Sequence, residues 1–231
     1  MILYVNGDSH TAAAEAVHPA AFAEDDPDYG HLLRRPHPAN LAVSWGRQLA
    51  TILSCKFTCD AESASSNDRI IRTTRSWMQR NRDRALIIIQ WSTWEREEWL
   101  IDDVYYQVNA SGVDEVPESH QEQYKQFVID VDWQKKTAEA HDKIWNFHLD
   151  LEQAGLDHIF FNGNTSFSSI KQRKDWGTCY MDPYSDHGTF HNQLQNAGVR
   201  TVNPHSYHYG EDGHRQWADI VLQYIRTNNL Y

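Results

Sequence analysis

A chain of 231 residues, 40% hydrophobic and 12% aromatic, is long and apolar enough to bury one α/β core, which argues against a disordered polymer. A formal charge of -11 argues against a nucleic-acid partner, which needs basic surface, and against docking on anionic membranes. No apolar run approaches the length that spans a bilayer, and Met1 abuts the first apolar run, leaving no room for a signal peptide; a cytoplasmic setting is expected. Three cysteines, Cys55, Cys59 and Cys179, fit reduced thiols, with Cys55 and Cys59 expected to be buried. Cys55-x-x-x-Cys59 lacks the second pair that would complete a metal site.

Ile2-Leu3-Tyr4-Val5 is a short apolar, β-branched and aromatic run that predicts a buried strand. Asn6-Gly7-Asp8 ends it with turn chemistry, and the alanine-rich stretch from Thr11 to Val17 predicts a helix. Ser9 then falls at a strand-to-helix junction, where helix N–H groups suit both a nucleophile and the oxyanion it creates. The plainer alternative is that Ser9 or Asp8 caps the helix. Residues 18–40 hold four of the seven prolines, which predicts a long loop at a pocket rim. Asn40 is placed to cap a helix running to about Ser54, with Leu41, Trp45, Leu49 and Ile52 on one face. Lys56 to Thr58 reads as a weak strand, and a helix carrying Ile70, Ile71 and Trp77 follows the segment Ala61 to Asn67. Ala85 to Ile89, apolar throughout, predicts a central parallel strand.

Residues 94–155 read as a helical, aromatic-rich insertion. Trp91, Trp94, Trp99, Tyr105 and Tyr106 suit stacking on sugars if exposed near a cleft, and the favoured reading is that they pack beneath a lid. Glu118 to Gln153 has helical composition, and His141, Trp145 and His148 recur at helical spacing, more often the mark of half-buried face residues than of ligands. Gly155 stops that helix. His158 to Phe161 predicts a further buried strand, and a final helix carries Trp217, Ile220, Val221, Tyr224 and Ile225, with His214 capping or packing at its start. Two histidine spacings, His187-x-x-x-His191 and His205-x-x-His208, admit a zinc hydrolase as a rival. Against it, no His-Glu-x-x-His pattern is present, and the Gly7-Asp8-Ser9 start would stay unexplained.

Gly7-Asp8-Ser9 near the start, with His208 followed by Gly213-His214-x-x-Trp217-Ala218 near the end, resembles the SGNH (GDSL) hydrolase family. Trp45 to Ala50, Ala61 to Asn67, and Ala85 to Ile89 with Gln90-Trp91-Ser92-Thr93 extend the resemblance in the same order. It implies one domain over residues 1–231: a three-layer α/β/α sandwich with a mainly parallel sheet, SGNH- or flavodoxin-like, interrupted by the insertions at 18–40 and 94–155. It implies a serine esterase or acyl hydrolase, with carbohydrate deacetylases among the activities the family includes, with Ser9 as nucleophile, His208 as base, and no cofactor or metal. The partner expected is a small ester or an acylated glycan.

Three positions depart from the family pattern. Ala64 stands at the glycine whose N–H is an oxyanion donor, keeping the N–H but bearing a penalty if φ must be positive. Ser92 stands where the family has an asparagine amide donor, with a shorter reach and a freer rotor. His205 stands where an aspartate would orient His208. The expected substitute is a main-chain carbonyl or a carboxylate from elsewhere, such as Asp182, Asp186 or Asp212; Asp8, His205 and Asp212 are the candidate supporting residues. The alternative function is a catalytically weak or inactive module of this fold that binds through its aromatic insertion. The whole chain is similar to SGNH-like proteins of some bacteriophages, which would place such a module in the host cytoplasm or the virion.

Overall fold

The computed structural model describes residues 1–110 and 116–230. Residues 111–115, inside the expected 94–155 insertion, and Tyr231 lie outside the described residues. Strand β1 (Ile2–Asn6) is followed by helices α1 (Pro38–Val43) and α2 (Trp45–Ile52), β2 (Lys56–Cys59), α3 (Asn67–Arg80) and β3 (Ala85–Trp91). The hairpin β4 (Glu97–Ile101) and β5 (Val104–Val108) leads to α4 (Gln121–Asp130) and α5 (Trp133–Gln153). Strand β6 (Asp157–Asn162), α6 (Phe190–Asn196) and α7 (Glu211–Asn228) complete the chain.

Four strands form one parallel sheet in the order β2-β1-β3-β6. Parallel strands buried on both faces need apolar side chains along their length, and β1 and β3 supply them up to the polar Asn6 and Gln90 near their C-terminal ends; every residue of both is buried. Alternation along the strands then sorts the core into two layers. Leu3, Val5, Leu86, Ile88, Ile159 and Phe161 meet α2, α6 and α7 through Trp45, Leu49, Phe190, Trp217 and Val221. Tyr4, Ile87, Ile89 and Phe160 meet α3 and α5 through Ile70, Ile144, Phe147 and Leu151 on the other face. The result is a mixed α/β structure, a parallel sheet with helices on both faces. Each such side chain contributes roughly 1.5–3 kcal/mol on burial.

Several local expectations need correction. Thr11 to Val17 is a series of turns, with Ala13 and Glu15 at φ 56° and 63°, so no helix follows the Gly7-Asp8-Ser9 turn. The helix expected from Asn40 to Ser54 is two helices. His37 caps α1, accepting from the Ala39 N–H, and Ser44 caps α2, accepting from the Arg47 N–H. Asn40 lies inside α1, fully buried, and binds the neighbouring loop instead: its Oδ1 accepts from the Val17 and His18 N–H groups, and its Nδ2 donates to the His18 and Ala20 carbonyls.

The 94–155 region also divides differently. Asp102 and Asp103, at φ 49° and 62°, make the two-residue turn that right-twisted hairpins favour. The hairpin and α4 share a small cluster of Val108, Val116 and Tyr124, whereas α5 lies on the sheet itself. Trp91 and Trp94 are core residues, Trp94 stacked on Phe167 with centroids 4.5 Å apart, in line with the packing reading, whereas Tyr105 departs from it: it is exposed, with the Arg72 guanidinium over its ring. Cys55 and Cys59 are half-buried rather than buried, and all three cysteines are free thiols.

Candidate active site

The C-terminal end of β1 carries the turn on which the site is built. Asn6 fixes it from within: its Oδ1 accepts from the Gly7 N–H at 2.9 Å, and its Nδ2 donates to Thr73 Oγ1 at 2.8 Å and Thr74 Oγ1 at 3.0 Å on α3. Gly7 is required by close approach, since a Cβ there would meet Thr11 Oγ1 at 2.6 Å and Gln90 Oε1 at 2.7 Å. Gln90, buried at the end of β3, accepts from the Asp8 N–H at 3.2 Å and from the Thr11 hydroxyl at 3.0 Å. This glutamine clamps the turn to the neighbouring strand.

Asp8 is buried, and its carboxylate is fully engaged. Oδ1 accepts from the His10 N–H at 3.0 Å, while Oδ2 accepts from Ser92 Oγ at 2.9 Å and pairs with Arg96 Nη1 at 3.2 Å. Burial alone would raise the carboxyl, but the charges of His10 and Arg96 and these hydrogen bonds outweigh it and hold it below the usual carboxylate range. The same contacts decide the state of Ser92. Its hydroxyl has one proton, which goes to Asp8, and it accepts from Arg96 Nη1 at 2.9 Å. The Ser92 hydroxyl therefore serves the Asp8 carboxylate, and its expected use as an oxyanion donor has no proton left to supply.

Ser9 is 9% exposed, and its hydroxyl makes no hydrogen bond to any described residue. Its N–H and that of Ala64 likewise have no acceptor among the described residues. Ala64 adopts φ 65°, the left-handed conformation that a glycine takes without penalty. The alanine thus accepts the backbone strain that the glycine pattern implied.

His208 holds the clearest surprise. Its Nδ1 lies 2.7 Å from Glu15 Oε2, and Ser206 Oγ donates to the same oxygen at 2.8 Å while accepting from the His208 N–H at 3.0 Å. Burial works to raise the Glu15 carboxyl, but the His208 and Ser206 hydrogen bonds prevail and lower it. The carboxylate partner of His208 is Glu15, and the residues suggested from sequence are occupied elsewhere. The exposed His205 donates its N–H to Asn203 Oδ1, Asp186 accepts from Ser166 and Ser168, and Asp212 accepts from the Gly213 N–H; no contact joins Asp182 to His208. No direct hydrogen bond joins His208 to Ser9 among the described residues.

His10 is a further site residue that nothing in the sequence singles out. It is buried between His208 and Phe190, with ring centroids 5.6 Å and 5.0 Å away, and its Nε2 meets Asn164 Oδ1 at 2.9 Å. Burial drives it down to about 4, against the raising effect of Asp8, so the ring is neutral near pH 7. His214 packs at the start of α7, where burial takes it to about 3 and its Nδ1 accepts from the Trp45 N–H at 3.4 Å. The proline-rich loop borders a cleft of about 410 Å³ with Asp60, Ala61 and Glu62, the segment just before Ala64. His187 and His191 face Asn196 and Tyr209 respectively, so neither histidine spacing read as a possible zinc motif gathers a ligand set among the described residues.

A model of a family of unknown function, DUF6071, matches residues 24–153, more than half of the chain. The chain belongs to the DUF6071 family. The matched span contains Ala64, Ser92 and Arg96 but neither Ser9 nor His208. No curated protein matches the chain. Among solved structures, it is similar to a member of the lipolytic protein G-D-S-L family from Veillonella parvula DSM 2008, at 13% identity and a TM-score of 0.49, covering 96% of this chain and 97% of that one. It is also similar to a carbohydrate esterase at 14% identity and a TM-score of 0.45, covering 98% of this chain and 64% of that one. Among the described residues, no helix is long and apolar enough to cross a membrane.

Proposed function

We propose that the chain is a serine ester hydrolase in which Ser9 attacks the acyl carbon, His208 takes its proton, and Glu15 orients and stabilises the imidazolium. The observation that carries this reading is the 2.7 Å contact between His208 Nδ1 and Glu15 Oε2. With Nδ1–H directed at a carboxylate, the tautomer that leaves Nε2 free to accept a proton is favoured, which is what a serine base requires. Ser9 Oγ attacks as its proton passes to Nε2, and the Ser9 and Ala64 N–H groups receive the oxyanion. His208 returns the proton to the leaving alkoxide, and water, deprotonated by the same nitrogen, then releases the acyl group. The substrate on this reading is a small acyl ester.

A binding or structural module is the second reading, favoured by the lack of a Ser9–His208 hydrogen bond and by the commitment of Ser92 to Asp8. Labelling with a fluorophosphonate, located by mass spectrometry, separates the two. The enzyme reading expects modification at Ser9, lost together with turnover of short acyl esters in a folded Ser9→Ala variant. Wild-type protein that neither labels nor turns over such esters would leave the module reading.

A further inference from the structure

We propose that His148, Glu152, His158 and Cys179 form a structural zinc site that pins α5 to the edge strand β6. The four side chains each offer one ligand atom, and these atoms all lie within 4.8 Å of one another. Three separate segments bring them together. His148 and Glu152 lie four residues apart on one face of α5. His158 is the second residue of β6. Cys179 is held beside that strand by backbone pairing: the Phe160 N–H donates to the Cys179 carbonyl at 2.7 Å, and the Met181 N–H to the Phe160 carbonyl at 2.8 Å.

The imidazoles are arranged as ligands are. His158 Nδ1 meets the Leu156 carbonyl at 2.9 Å, which fixes its proton there and leaves the Nε2 lone pair accepting from His148 Nδ1–H, a proton that a bound zinc would displace. That Nε2 lies 2.8 Å from His148 Nδ1. Two nitrogens bound to one tetrahedral zinc at about 2.0–2.1 Å stand roughly 3.4 Å apart, so the rings need separate by only about half an ångström. Trp145 and Trp176 cover His148, with centroids 5.0 and 5.6 Å away, and wall the site on that side, while Glu152 reaches it from the exposed surface. Cys179 Sγ lies 3.7 Å from Glu152 Oε1. The thiol donates to that carboxylate, so both atoms already converge on one point, and a bound dication would take the place of the thiol proton.

Two nitrogens, a sulfur and an oxygen suit zinc and not calcium or magnesium, which prefer oxygen alone. Four protein ligands also fill a tetrahedral shell, so the site is structural. It stands on the opposite side of the sheet's run from Ser9, which follows the C-terminal end of β1, whereas His158 opens β6. It is therefore independent of the ester chemistry.

The test uses the full chain, stripped with a chelator and titrated with zinc and then cobalt. One zinc per chain is expected, with a rise in thermal midpoint. The cobalt form should show a thiolate-to-metal charge-transfer band. Cys179→Ser should abolish that band and weaken zinc binding at least about tenfold, the low end of what losing even a supporting partner costs. His158→Gln should weaken zinc binding similarly while Cys179 stays intact, which guards against one variant failing to fold. No saturable binding by folded wild-type protein overturns the proposal. So does metal bound without the thiolate band and indifferent to Cys179→Ser, since a site at the sulfur-free cluster of His18, Asp26 and His37 would behave that way.

Discussion

Replacing Glu15 with glutamine isolates the contribution of the unexpected carboxylate. The glutamine keeps the length of the side chain and can still meet His208 Nδ1, but it carries no charge to stabilise the imidazolium. A hydrogen bond to a charged partner contributes roughly 1.5–3 kcal/mol. A buried aspartate in this role contributes about 10⁴-fold in serine proteases, but the side chains of Glu15 and His208 are 34% and 24% exposed, so water screens part of the effect. Glu15→Gln should therefore lower kcat for a short acyl ester by about ten- to a hundredfold. KM should be unchanged, because the charge it stabilises develops only in the transition state. Stopped-flow or steady-state hydrolysis of a chromogenic acetate measures both constants, with circular dichroism to confirm folding. Ser206→Ala, which removes the second donor to Glu15 and the acceptor of the His208 N–H but leaves the carboxylate charge in place, should cost less. A folded Glu15→Gln protein with wild-type kcat would remove Glu15 from the mechanism and return the orienting role to another group.

Acid should destabilise the fold before its carboxylates titrate. His10 and His214, depressed to about 4 and about 3 chiefly by burial, stay neutral in the folded chain while the unfolded chain takes up protons below about pH 6.5. Their contribution is complete above that pH and is lost as pH falls toward 4 and 3, so each should remove about 2 kcal/mol between pH 6.5 and 5; identical urea midpoints at pH 7 and 5 would contradict it. Ala64→Gly should relieve the left-handed strain at φ 65°, worth about 1–2 kcal/mol, against an unfolded-state entropy cost of about 0.4–1 kcal/mol. A small gain in urea stability with turnover retained is expected, and a clear loss of stability would show that the alanine methyl packs usefully.

The strands were legible because their physical requirement is local. Ile2 to Val5 and Ala85 to Ile89 are apolar at every position, as only strands covered on both faces need be. The hairpin also carries a local signal: two aspartates between Trp99-Leu100-Ile101 and Val104-Tyr105-Tyr106 mark a two-residue turn. Glu15 had none. Its segment is alanine-rich and of high helical propensity, yet Ala13 and Glu15 both sit at positive φ, so tertiary contacts override the local preference. Its partner is 193 residues away in sequence, and nothing in either neighbourhood announces the pair. The thiol and imidazoles around His158 were equally hidden, because Cys179 reaches β6 through backbone pairing that a loop sequence does not encode.

The three departures from the SGNH pattern do not weigh equally once the contacts are known. His205 lacks a carboxylate, but Glu15 brings one to His208 from the other end of the chain. Ala64 lacks the freedom of glycine, but it already holds φ 65° with its N–H unspent. Ser92 alone has no substitute, because its only proton goes to Asp8, and Arg96 fills the opposite side of that hydroxyl. Losing one oxyanion donor costs about 3 kcal/mol, or roughly 10²–10³ in rate. The arithmetic on the enzyme reading therefore gives a slow esterase with two backbone donors, and not a dead one. Ser92→Asn would restore an amide at that position but would also remove a hydrogen bond from buried Asp8. The rate should rise only if Arg96 alone can hold the carboxylate, and a double comparison with Arg96→Gln separates the two effects. Should Ser92→Asn raise kcat in the wild-type background and not in Arg96→Gln, the Asp8–Arg96 pair is what lets position 92 be used for catalysis. An equal gain in both backgrounds would mean that Asp8 needs neither partner, contrary to the burial and charge pairing found here.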